Sequence, residues 1–208
     1  MKMMMTTMKR GSVRLLAGFA AVCIAMASCS EVTAPGTVEV VPEDELPIVA
    51  VAEDSPPLIQ SVVSFWAVRG EARVVEMRYD TAYSNGKCLR FILPAMSLLK
   101  HPDGSNVAMG DSVKINIRVI NTSHFLFEFE PAGVRFDPAA PARLEIRYAW
   151  ADVNGDGAAT EADGGRMALY RQERPGMVWE KIPSTQYSDI QEIHATITGF
   201  TRYALATE

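Results

Sequence analysis

Val113-Lys114-Ile115-Asn116-Ile117-Arg118-Val119 alternates without a break, with Val113, Ile115, Ile117 and Val119 on one face and Lys114, Asn116 and Arg118 on the other. A strand turns successive side chains to opposite faces, so this stretch reads as a strand with one buried side. The pattern repeats on both sides. Phe125, Phe127 and Phe129 form the next apolar row, and Leu144, Ile146, Tyr148 and Trp150 another, opposed by Arg143, Glu145 and Arg147. Upstream, 59–68 is a mostly apolar run, 72–79 alternates, and Asn85-Gly86 marks a turn before 88–93. Downstream, 167–171, 178–182, 193–197 and 203–206 complete about nine or ten short strands separated by turn signals, a layout that specifies an all-β antiparallel β-sandwich of Ig-like type. No internal repeat is visible.

Three stretches sharpen this expectation. They are Asn85-Gly-Lys-Cys-Leu-Arg-Phe-Ile-Leu-Pro94, then Phe129-Glu-Pro-Ala-Gly-Val-Arg-Phe136 with Ala142-Arg-Leu-Glu-Ile146, and finally Ile193-His-Ala-Thr-Ile-Thr-Gly-Phe-Thr-Arg-Tyr-Ala-Leu-Ala206. Their order resembles a ZU5-type β-sandwich over about 120 residues. Ala95-Met96 and Thr198-Gly199 depart from the family's Gly-Ala and Thr-His. The resemblance implies a structural or interaction module without a catalytic set.

The first 28 residues have another character. Lys2, Lys9, Arg10 and Arg14 precede an apolar stretch of small and aliphatic residues, 15–27, and no acidic residue interrupts them. At about thirteen residues the stretch is shorter than the roughly 20 that span a bilayer, and it suits a signal peptide, 1–28. Met26-Ala27-Ser28-Cys29 resembles the lipobox of bacterial lipoproteins, in which the cysteine after the cut takes a diacylglyceryl group. Met26 stands where leucine is usual, and Ala25-Met26-Ala27 also fits a plain secretory cut. Lipid on Cys29 (with palmitate among the acyl chains) implies a chain anchored to a membrane of a bacterial cell envelope, the outer membrane first, and facing the periplasm or the exterior.

Residues 29–57 shift composition again. Seven acidic residues and Pro35, Pro42, Pro47, Pro56 and Pro57 fall here, and no Lys or Arg appears until Arg69. Like charges repel and prolines withhold ladder hydrogen bonds, so a disordered linker to a domain at 58–208 is expected. Val38 to Val41 and Ile48 to Ala52 could instead pair at a sheet edge. Four of the 20 basic residues and none of the 25 acidic ones lie in the signal, so the mature chain carries about −9. Such a charge disfavours nucleic acid as a partner. Cys88, alternating with apolar neighbours, reads as a small buried residue.

One constellation carries chemistry. Asp152-Val-Asn154-Gly-Asp156-Gly157-Ala158-Ala-Thr160-Glu-Ala-Asp163 has the spacing of a twelve-residue calcium loop. Asp152, Asn154, Asp156 and Asp163 supply side-chain oxygens, Ala158 a carbonyl, and Thr160 a direct or water-borne contact. Ca²⁺ is hard and takes six to eight oxygens, which this set and water supply. The flanks alternate like strands, so the loop would join strands rather than helices, and Asp163 in place of Glu lowers affinity. The competing reading is a hairpin loop whose Asn-Gly-Asp-Gly supplies turn residues.

His101, His124 and His194 lack metal spacing, and no Gly-x-Ser-x-Gly elbow or phosphate loop is present. Trp66, Trp150, Trp179, Tyr148 and Tyr170 are either core residues or a sugar-stacking platform. The expected function is that of a non-catalytic envelope lipoprotein whose calcium-stabilised sandwich binds a protein or glycan, or builds structure. The alternative is a calcium-dependent carbohydrate-binding module.

Overall fold

The computed structural model describes residues 38–82, 86–159 and 165–208. The signal peptide, Cys29, Asn85, Thr160 and Asp163 lie outside the described residues. The described chain is all-β: β1 (Val40–Val41), β2 (Ala50–Val51), β3 (Val62–Val68), β4 (Arg73–Arg78), β5 (Lys87–Leu93), β6 (Leu98–Lys100), β7 (Ser112–Asn121) and β8 (Leu126–Glu130) form the first half. β9 (Arg135–Phe136), β10 (Ala142–Arg147), β11 (Ala151–Asp152), β12 (Met167–Gln172), β13 (Trp179–Ile182), β14 (Ser184–Tyr187), β15 (Glu192–Ile197) and β16 (Arg202–Thr207) follow.

A seven-stranded antiparallel sheet has the order β1-β13-β12-β16-β8-β7-β3, and a five-stranded one the order β14-β15-β10-β5-β4. Two short antiparallel ladders, β11-β2 and β6-β9, stand beside them. The sheets pack as a β-sandwich, as the alternation requires: Val113, Ile115, Ile117 and Val119 and the row Phe125, Phe127, Phe129 are all buried. Rings tie the layers together. Phe91 of the small sheet lies 5.8 Å from Phe129 and 5.7 Å from Phe200, and Phe129 meets Tyr203 edge-on at 5.3 Å. Such pairs add about 0.5–1.5 kcal/mol each beyond the area they bury. Cys88 is buried in this core beside Tyr79, and burial pushes its thiol up to about 12, so it stays protonated and inert.

The expected domain start at residue 58 needs correction, because the segment expected as linker folds onto the domain from Val38 onward. Val40 and Val41 pair with Glu180 and Trp179 at one edge of the large sheet, and Ala50 and Val51 pair with Asp152 and Ala151. Between them Val49 N–H donates to the Leu205 carbonyl at 2.9 Å and its own carbonyl accepts from Phe125 N–H at 3.0 Å. Leu46, Val49 and Ala52 are buried. The physical reason lies in the sheet beneath. Ala168, Tyr170, Ala204 and Ala206 point outward from β12 and β16 and, with Trp179, make an apolar surface that Leu46 covers. Apolar area removed from water is worth roughly 25 cal/mol per Å², which outweighs the extended preference of an acidic, proline-rich segment. We call 38–52 the strap.

Candidate functional site

The strap leads to the loop. Asp152 closes β11, and the chain then turns through residues 153–159 on the way to β12. Its buried carboxylate organises the turn: Oδ1 accepts from Gly155 N–H at 2.7 Å and Asp156 N–H at 3.1 Å, and Oδ2 from Gly157 N–H at 2.9 Å. Asn154 Oδ1 accepts from Asp156 N–H and Asp156 Oδ1 from Ala158 N–H, each at 2.9 Å. Asn154 Nδ2 also reaches Asp156 Oδ2 at 3.1 Å. Gly155 and Gly157 hold φ of 78° and 86°, which a side chain would strain. The structure therefore gathers Asp152, Asn154 and Asp156 into one turn, with Ala158 bonded to it. Thr160 and Asp163 cannot be placed beside them, being outside the described residues.

A further carboxylate comes from the strap side. Glu53 N–H donates to the Gly157 carbonyl at 2.8 Å, and the Glu53 carboxyl carbon lies 3.5 Å from where a Cβ on Gly157 would stand. The acidic run that contains Glu53 was the available signal, but its pairing with a loop a hundred residues away was not readable from spacing. Loop and strap line an open cleft of about 960 Å³ whose other walls are residues 55–61, Tyr79 and 122–124. His124 faces it, its Nδ1 3.2 Å from Asn121 Nδ2.

Charge distinguishes this cluster from the other one in the molecule. Among the described residues no Lys or Arg lies within ion-pair distance of Glu53, Asp152 or Asp156. On the outer face of the five-stranded sheet, Glu145, Glu192 and His194 bring ligand atoms within 4.8 Å of one another. There, however, Lys87 Nζ sits 3.3 Å from Glu145 and 2.6 Å from Glu192, with Arg143 Nη2 2.6 Å from Glu145. An ammonium already occupies the place a metal would need. Burial opposes ionisation of Glu192, but hydrogen bonds from His194 and Lys87 overcome it and hold the carboxyl below its ordinary range.

The aromatic candidates separate cleanly. Trp179, Tyr148 and Tyr170 are buried and Trp150 packs partly buried against the core. Trp66 is 56% exposed, on the outer side of β3. Comparison with protein-family models, curated proteins and solved structures returned no match for this chain.

Proposed function

We propose that this protein is a lipid-anchored, non-catalytic binding or scaffold module of a bacterial cell envelope, with a ZU5-like sandwich braced by Ca²⁺ at 152–163. The basic start, short apolar stretch and Cys29 support export and anchoring. One observation supports calcium above all: Glu53, Asp152 and Asp156 border the same turn with no Lys or Arg in ion-pair distance among the described residues. In the set-aside cluster every acid has one. Without an ion, Glu53, Asp152 and Asp156 repel one another; Ca²⁺ relieves the repulsion and fastens strap to loop. Trp66 favours the second reading, carbohydrate binding, and does so away from the loop's cleft.

Calcium titration of the detergent-extracted full chain tests this. With the roughly 10⁻³ M affinity of extracellular sites, 10 mM Ca²⁺ stabilises by about 1.4 kcal/mol, or about 4 °C in Tm. Asp156→Ala abolishes the shift and Mg²⁺ does not reproduce it. A Tm indifferent to calcium and chelator alike sinks the calcium reading. The mass of the mature N-terminus checks the anchor: a diacylglyceryl adduct on Cys29 supports it, and a free Ser28 or Cys29 end refutes it.

A further inference from the structure

The strap covers only part of the outer face of the seven-stranded sheet. On the uncovered part the strand registers lay out rows of side chains. Trp66 pairs with Lys114; Ser64 with Asn116 and Glu130; Val62 with Arg118, Glu128 and Arg202. Ser64 Oγ donates to Asn116 Oδ1 at 2.7 Å, which leaves the Asn116 amide nitrogen with its two N–H donors. Arg118 pairs with Glu128 and, at 3.8 Å, with Glu130, and Arg202 Nε lies 3.2 Å from Glu128. The loops before β9 and before β13 rise beside these rows, so that Lys114, Asn116, Glu128 and Glu130 floor a groove of about 510 Å³ walled by Pro131 and Pro175.

The chemistry of this groove selects its occupant. Each sugar hydroxyl both donates and accepts, and the floor sets guanidinium donors, carboxylate acceptors and an amide side by side. The charges neutralise one another locally, so an anionic polymer finds no surplus of cations. Phe129, Pro131, Ala132 and Pro175 add apolar lining beside these groups, which the C–H faces of a sugar ring match as its hydroxyls match the polar ones. At the edge, the exposed indole of Trp66 offers a flat face for the C–H side of a pyranose ring, a polar-tipped aromatic in the place where wet and apolar contacts meet. The volume falls within the roughly 300–1,000 Å³ of ligand sites. From β3 across β7 and β8 to β16 the face spans three strand spacings, about 14 Å, room for more than one ring.

We propose that this groove binds a neutral saccharide chain, with Trp66 stacked on one ring and Lys114, Asn116, Glu128 and Glu130 bonding the hydroxyls of its neighbour. The proposal rests on the reading of the domain as a non-catalytic binding module and is independent of calcium, because the loop does not line the groove.

Titration of the detergent-extracted full chain with cellohexaose, chitohexaose and maltohexaose, followed by isothermal titration calorimetry, tests it. At least one hexasaccharide gives a saturable binding isotherm. Trp66→Ala weakens that binding at least tenfold while keeping the wild-type Tm, since the side chain is exposed, and Asn116→Ala weakens it several-fold. A chelator leaves the affinity unchanged, so a failed calcium reading and a failed saccharide reading are told apart. The proposal is overturned if none of the three binds, or if Trp66→Ala binds as well as wild type. It is equally overturned if light scattering shows the wild type self-associating through this face and Trp66→Ala dispersing it, which would give the face to a second copy.

Discussion

On the large sheet the outward residues of β12 and β16 include Ala168, Tyr170, Ala204 and Ala206, and a segment of chain lies over them. On the small sheet the outward residues of β5, β10 and β15 include Lys87, Arg90, Arg143, Glu145, Glu192 and His194, and these cover themselves. Glu145 is 2% exposed there, as deeply buried as Trp179 on the other face. It is roofed by the stems of Lys87, Arg90 and Arg143, whose nitrogens lie 3.3, 3.7 and 2.6 Å away. Long cationic side chains bury their methylenes and keep their heads wet, so opposite charges on a sheet face can replace a covering layer. Small residues cannot: alanines leave a flat apolar surface that only another piece of chain can shield. Outward composition thus decides whether a sheet needs a strap.

The comparison breaks most sharply at Leu46. Leu46→Asp removes the residue that seats the strap and puts a charge against Tyr170 and Ala204, at an expected cost of about 4 kcal/mol. Chemical denaturation measures the loss, and increased dye binding to the uncovered alanine face identifies its origin. An unchanged midpoint would mean that the strap contributes nothing to the fold. Glu145→Ala is expected to cost less, about 2 kcal/mol. It leaves three cations crowded together, but the side chains of Arg143 and Arg90 are 50% and 37% exposed and water screens them. Denaturation at low and high salt reads it, with the deficit shrinking as salt rises.

The smallest effect is the pH dependence of the same face. Glu192 ionises more readily folded than unfolded, so its contribution is complete above the unfolded glutamate value of about 4.3 and is lost as pH falls through the lower folded value. Tm measured from pH 7 down to pH 3 falls in the wild type, and Glu192→Gln flattens part of that fall. A parallel decline in both proteins would remove Glu192 from the acid response.

The ten longer strands were legible because each carries at least two turns of the period-two pattern: the buried rows at 113–119 and 125–129 are those that alternation marks. β6, β9 and β11 were not, being two or three residues long and too short to show a period, nor was β14, which carries no apolar row; β1 and β2 were visible only as the alternative edge pairing of 38–41 and 48–52. The strap was hidden by composition. Its acids and prolines read as linker, while Leu46 gains meaning only against the alanines of two strands far along the chain and Val49 only against the main core. Trp66 was ambiguous for a different reason: 59–68 is apolar on both parities, so alternation could not say which side met the core. Of the loop, Asp152, Asn154, Asp156 and Ala158 were readable from spacing alone, whereas Glu53 was not, because strand pairing brings it there. The Glu145 network escaped entirely, since Arg143-Leu-Glu-Ile-Arg147 looks like an ordinary wet face until Lys87 and His194 arrive from neighbouring strands.

The strap also determines how this domain answers to tension. Force applied from the N-terminal side of Val38 first meets β1, two residues long at a sheet edge, which gives way one hydrogen bond at a time. Leu46 is then drawn from its seat, and β2 parts from β11 beside the acidic loop. The long strands behind them are loaded only after that sequence. Tension drawn through this lead would thus be taken up first by the strap, at about 3.3 Å for each residue released, before the long strands bear load.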